Sequence, residues 1–135
     1  MTEFDIEFLD HVAIMVADID ESVKWYKNVL GLKKYQVSKW GPFPIFMLAG
    51  KTGIAIFPAD NEGSDSNAKP HSIRIDHFAF NVSQDNFELA KKRYDELELS
   101  YRFKDHYYFH SLYTQDPDGH TVELTTLVVP EGDFY

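Results

Sequence analysis

Leu9-Asp10-His11-Val12-Ala13-Ile14-Met15-Val16 returns further along the chain as Ile75-Asp76-His77-Phe78-Ala79-Phe80-Asn81-Val82. Both stretches read apolar, Asp, His, apolar, Ala, apolar, variable, Val. The histidines are offset by 66 residues (11 to 77), about half of a 135-residue chain. Repetition at such a spacing marks two copies of one supersecondary unit, neither able to bury its apolar face alone.

The segments downstream of the two copies repeat as well. Asp18 or Asp20 can cap a helix, since a side-chain oxygen satisfies amides that the first turn leaves free. Val23, Tyr26, Val29 and Leu30 then recur at helical spacing, and Gly31 supplies a C-terminal stop. In the second half Ser83 caps a run holding Phe87, Leu89, Ala90, Tyr94 and Leu97. Strand-like segments come next: Lys33–Trp40, Ile45–Leu48 and Gly53–Phe57 in the first half, and Ser100–Lys104, Phe109–Gln115 and Thr121–Leu127 in the second. Asp116-Pro117-Asp118-Gly119 reads as a turn, with Pro fixing φ and Gly permitting positive φ. The expected class is α+β. One β-α-β-β-β module spans residues 1–60, a polar linker 61–72, a second module 73–128 and a tail 129–135.

Composition narrows the partners. The formal charge of −9 repels phosphate backbones and anionic bilayers, which argues against nucleic acid and membrane surfaces. The absence of cysteine excludes disulfides, thiolate nucleophiles and Cys-ligated metals. The acidic opening MTEFDIEFLD lacks the basic start and apolar run of a signal peptide, so the expectation is a cytoplasmic protein.

The chemistry-bearing residues sit on the repeated strands. Either histidine alone would read as an ordinary strand histidine; two at matching positions point to metal ligation. Glu123, between Val122 and Leu124, is a third candidate, because a carboxylate facing a sheet interior is costly unless paired or metal-bound. Subtracting the same offset from 123 lands on Phe57, and residues 53–57 contain no carboxylate. The set is therefore asymmetric. Two neutral imidazoles and one carboxylate leave coordination positions open, an arrangement that suits Fe(II) and also admits Mn, Ni or Zn. Open positions let a cation hold two substrate oxygens as a Lewis acid.

The paired Asp-His strands, Trp25-Tyr26-Lys27-Asn28-Val29-Leu30-Gly31-Leu32 and Asp116-Pro117-Asp118-Gly119-His120-Thr121-Val122-Glu123-Leu124 together resemble the vicinal oxygen chelate superfamily. That group takes in glyoxalase I, extradiol dioxygenases, fosfomycin-resistance thiol transferases, methylmalonyl-CoA epimerase and metal-free bleomycin-resistance proteins. The resemblance implies one divalent metal ion on His11, His77 and Glu123, a small-molecule substrate and a homodimer. Glyoxalase I and the epimerase usually add an acidic ligand on the last strand of the first module, and the wholly apolar Gly53–Phe57 counts against both.

Tyr113, four residues before Pro117, matches a tyrosine that ring-cleaving enzymes place near the bound oxygens. Asp105-His106 resembles an Asp-His segment of catechol dioxygenase relatives. Tyr113 and His106 are therefore expected as catalytic residues, with Fe(II) favoured and an extradiol-type dioxygenase as the leading reaction. The alternatives are a non-redox lyase or thiol transferase, or a metal-free binding protein. Arg102, Lys104, His110 and Ser111 are expected around the substrate, with Trp40 and Phe46 as apolar walls. The competing reading of residues 102–110 is a surface hairpin of ordinary polar residues, and that of Phe46 is core packing.

Overall fold

The computed structural model describes residues 4–59 and 75–135. The chain divides into two compact units, Met1–Ser66 and Asn67–Tyr135. The expected linker at 61–72 lies outside the described residues.

The first unit runs β1 (His11–Val16), α1 (Ile19–Leu30), β2 (Lys33–Tyr35), β3 (Ile45–Ala49) and β4 (Thr52–Pro58), with the strands ordered β1-β4-β3-β2. β1 lies parallel to β4, and the remaining pairs are antiparallel. The second unit repeats the plan with β5 (His77–Asn81), α2 (Gln84–Glu96), β6 (Arg102–Asp105), β7 (Phe109–Gln115) and β8 (Thr121–Leu127), ordered β5-β8-β7-β6. Each unit is thus a β-α-β-β-β module with a mixed four-stranded sheet, and the α+β class holds.

Local chemistry explains the boundaries. Asp18 accepts a hydrogen bond from the Glu21 amide to cap α1, and Ser83 accepts one from the Asn86 amide to cap α2. Gly31 ends α1 at φ 68°, a left-handed conformation that glycine adopts without Cβ strain. The Asp116 carboxylate accepts from the amides of Asp118 and His120, closing the turn into β8.

Alternation then sorts the residues. In the first unit Ile14, Val16, Ile45, Met47, Ile54 and Ile56 share one buried face with Val23 and Tyr26 of α1. In the second, Leu112, Val122 and Leu124 are buried with Phe87 and Tyr94 of α2. Burying each aliphatic side chain is worth about 1.5–3 kcal/mol, so these faces hold each helix to its sheet. The opposite faces begin with His11 and with His77, one per unit.

Two readings of the sequence change, and the tail gains a described structure. The strand expected over Lys33–Trp40 stops at Tyr35 and gives way to a 3-10 turn at Ser38–Trp40, closed by Trp40 N–H on the Val37 carbonyl. Leu89 is 62% exposed, because it lies two residues from Phe87, or about 200° around the helix, and so falls off the buried stripe. The tail forms a short 3-10 turn at Glu131–Asp133, after which Phe134 packs edge-on against Phe109. Among the described residues no helix is long and apolar enough to cross a membrane.

Candidate metal centre

β8 presents Glu123 on the face away from α2, directly across from Ala79 on one side and Tyr113 on the other. The residue is 7% exposed. Oε2 accepts from the Ser111 hydroxyl at 2.8 Å, and Oε1 lies 3.0 Å from Nε2 of His77. Ser111 Oγ also lies 3.1 Å from the Thr125 hydroxyl oxygen. A buried carboxylate is tolerable only with such partners.

The far side of the His77 ring is held too. Nδ1 lies 2.7 Å from Asp76 Oδ2. An ionised carboxylate can only accept, so Nδ1 carries the hydrogen and a neutral ring turns its Nε2 lone pair toward Glu123. Two acceptors at 3.0 Å need positive charge between them, either a proton or a cation. Donors about 2.1 Å from one cation and at right angles to each other would be separated by about this much. The separation is thus compatible with an imidazolium–carboxylate ion pair and equally with a shared divalent ion.

In the first unit His11 is held in the same way, with Nδ1 2.7 Å from Asp10 Oδ1. Phe46 meets its ring edge-on at a centroid distance of 5.2 Å, and Trp40 stands 5.6 Å from Phe46. Phe46 shares the His11 face through Ala55 and is half-buried, so it lies outside the helix-covered core. Register also corrects the place where a fourth ligand would sit. His11 pairs with Gly53 and His77 with Thr121, so the counterpart of Glu123 is Ala55 and not Phe57. Neither position carries a donor.

Tyr113 lies beside Glu123, with its ring edge-on to His77 at 5.7 Å and the Arg102 guanidinium 5.1 Å from its centroid. Burial first, and then the Glu123 charge, push its phenol above the usual range. His106 Nε2 is 2.9 Å from the Tyr113 hydroxyl. Lys104 pairs with Ser111 in the ladder and Arg102 with Tyr113, which puts both cations on the Glu123 face, exposed.

His110 is different. It shares the helix-side face with Phe103 and Leu112, stands 5.1 Å from Phe103 and 6.4 Å from Phe87, and has Asp105 Oδ1 at 3.7 Å from Nε2. A strand cannot send His110 and Ser111 to the same side. His77, Glu123, Tyr113, Ser111, Arg102, Lys104 and His106 are therefore gathered in the second unit, while His11, Trp40 and Phe46 are gathered in the first. Among the described residues no group of three or more His, Asp or Glu side chains is assembled to hold a metal. Asp10 and Asp76 emerge only from the structure as partners of the imidazoles, although the repeated Asp-His pair carried the signal.

Residues 8–124 match the model of the Glyoxalase/Bleomycin resistance protein/Dioxygenase superfamily. The metallothiol transferase FosB of Lysinibacillus sphaericus is 29% identical over 137 residues, covering 96% of this chain and 90% of that protein. The glutathione transferase FosA of Serratia marcescens is 24% identical over 119 residues, covering 88% and 80%. In fold, a glyoxalase/dioxygenase from Nostoc punctiforme superposes with a TM-score of 0.76 at 17% identity, over 96% of this chain and 97% of that one.

Proposed function

We propose, from the premise that the chain belongs to the Glyoxalase/Bleomycin resistance protein/Dioxygenase superfamily, that it is a divalent-metal-dependent transferase joining a thiol to a small anionic, oxygen-chelating substrate. The observation that carries the metal is the approach of His77 Nε2 to Glu123 Oε1 at 3.0 Å, with Asp76 holding the other ring nitrogen. His11, its own Nδ1 held by Asp10, is the matching imidazole of the first unit. A divalent cation on these donors supplies a Lewis acid toward two substrate oxygens.

The relatives named as metallothiol and glutathione transferases favour thiol transfer over ring cleavage, which was the leading expectation from sequence. The chain's own residues are consistent with that preference. Arg102 and Lys104, on the Glu123 face of a chain with net charge −9, offset the charge of an anion such as a phosphonate. Ser111 and Tyr113 offer hydroxyls beside the carboxylate, and Trp40 with Phe46 forms an apolar wall next to His11. The chain has no cysteine, so the thiol arrives as a second substrate. The hydrogen-bonded His106–Tyr113 pair keeps an extradiol dioxygenase as the second reading.

Anaerobic reconstitution with Fe(II), Mn(II), Ni(II) and Zn(II) tests both. Turnover of fosfomycin with glutathione or cysteine is the expected result. Oxygen-dependent ring cleavage of a catechol in the Fe(II) sample alone would replace it with the second reading. Mixing His11→Ala with His77→Ala protein then assigns the ligands. Each variant binds no metal by itself, and binding returns on mixing if a homodimer takes His11 from one chain and His77 with Glu123 from the other.

A further inference from the structure

The turn that carries His106 is constrained at every residue. The His106 amide donates to the Phe109 carbonyl at 2.7 Å, the Tyr108 amide donates to the His106 carbonyl at 2.8 Å, and Asp105 Oδ1 accepts from the Tyr107 amide at 2.9 Å. Tyr107 sits at φ 73°. A residue with a Cβ adopts that conformation only against a steric cost, and such strain persists where the surroundings over-determine it. The result is an imidazole delivered across the β6–β7 hairpin, with Nε2 2.9 Å from the Tyr113 hydroxyl and the two rings edge-to-face at 6.1 Å.

A phenol has one hydrogen to give and lone pairs to receive. The Tyr113 ring has little freedom, with Arg102 over its face and His77 at its edge. Its hydroxyl has hydrogen-bond partners in both His106 Nε2 and the Glu123 carboxylate, so the direction of its hydrogen depends on which of the two accepts it. A bare Nε2 on His106 would draw that hydrogen outward, away from Glu123. A protonated Nε2 would donate to the phenolic oxygen and leave the hydrogen directed inward.

We propose that His106 is a positioning residue acting through Tyr113: Nε2–H donates to the Tyr113 oxygen, so that the hydroxyl hydrogen faces the Glu123 side and meets a substrate oxygen bound there. His106 itself touches no substrate. The last step rests on the metal-centre reading above, whereas the hydrogen-bond polarity does not.

Two measurements separate the two. In metal-free protein, long-range 1H–15N NMR should find His106 as the Nε2–H tautomer, with its signals shifted in Tyr113→Phe. A predominant Nδ1–H tautomer, or no response to Tyr113→Phe, overturns the proposal whatever the enzyme does. In metal-loaded protein His106→Ala should lower kcat about tenfold with KM and metal content unchanged. His106→Gln, which also places an N–H donor near the hydroxyl, should recover most of that loss. His106→Ala should add nothing in a Tyr113→Phe background. Additive losses, or a Gln variant no better than Ala, would show that His106 does not act through Tyr113. Failure to bind metal at all would remove the metal-centre reading and leave the NMR result to decide the polarity.

Discussion

The Asp76 carboxylate holds the Nδ1 edge of His77 at 2.7 Å. Asp10 holds His11 at the same distance, so the repeated Asp-His pair is a repeated imidazole clamp. A carboxylate on Nδ1–H fixes the tautomer that leaves Nε2 free to bind a cation, and it fixes the plane of the ring. Asp76→Asn and Asp10→Asn should each weaken divalent-metal affinity by roughly 10- to 100-fold. Both carboxylates are exposed, so metal-free stability should stay within about 0.5 kcal/mol of the parent. Chelator competition and urea denaturation read the two quantities separately. Unchanged metal affinity in both variants would deny the clamps their role.

Glu123 should behave in the opposite way from a structural ion pair. Saturating metal stabilises a folded protein by RT ln(1 + [L]/Kd), about 2.7 kcal/mol at a hundredfold excess over Kd. That increment should appear in the parent and vanish in Glu123→Gln, whose amide oxygen still accepts from Ser111 but carries no charge for the cation. Thermal melts with and without Mn(II) or Zn(II) measure it. A Glu123→Gln variant that melts as high with metal as the parent would place the cation elsewhere.

How far the chain could be read depends on the range of the signal. The Asp-His repeat, the Asp18 and Ser83 caps and the Gly31 stop are local, and the modules could be outlined from them. Ladder register is not local. A constant offset of 66 pointed to Phe57 as the partner of Glu123, whereas pairing of His11 with Gly53 and His77 with Thr121 makes it Ala55. The second module carries two more residues between its first and last strands, an insertion that the aligned first strands cannot reveal. The His110 assignment needed only parity, since Ser111 and His110 are neighbours on one strand. The strand drawn through to Trp40 failed because the turn at Ser38–Trp40 is closed by backbone hydrogen bonds that composition does not show.

Gly53 offers a test of the ladder beside His11. Its amide donates to the Asp10 carbonyl at 3.3 Å, and a Cβ built there would run into the Met47 carbonyl and the Leu48 backbone. Neither obstacle is the end of a flexible side chain, so the strands themselves would have to part. Gly53→Ala should therefore destabilise by about 1–3 kcal/mol in urea denaturation. It should also disturb the His11 ring, because His11 is its partner in the ladder. A variant as stable as the parent would mean that β3 and β4 leave room for a methyl group at this point.

Burial sets the sign of the Tyr94 contribution to stability. The side chain is fully buried in the second unit, and its hydroxyl has no hydrogen-bond partner among the described residues. Burial pushes its phenol far above the usual value near 10. Below pH 10 the phenol is neutral in both folded and unfolded chains, and pH does not act on it. Above pH 10 the unfolded chain releases this proton while the folded one keeps it, so the unfolded state binds fewer protons and stability falls as pH rises. Tyr94→Phe removes that linkage and an unsatisfied polar group together, and it should raise stability at neutral pH by about 1 kcal/mol. The gap between variant and parent should then widen from about pH 10 upward. Urea denaturation at neutral pH, and again just below and just above the ordinary phenol range, measures it. A Tyr94→Phe protein less stable than the parent at neutral pH would mean that the hydroxyl has a partner, such as a buried water.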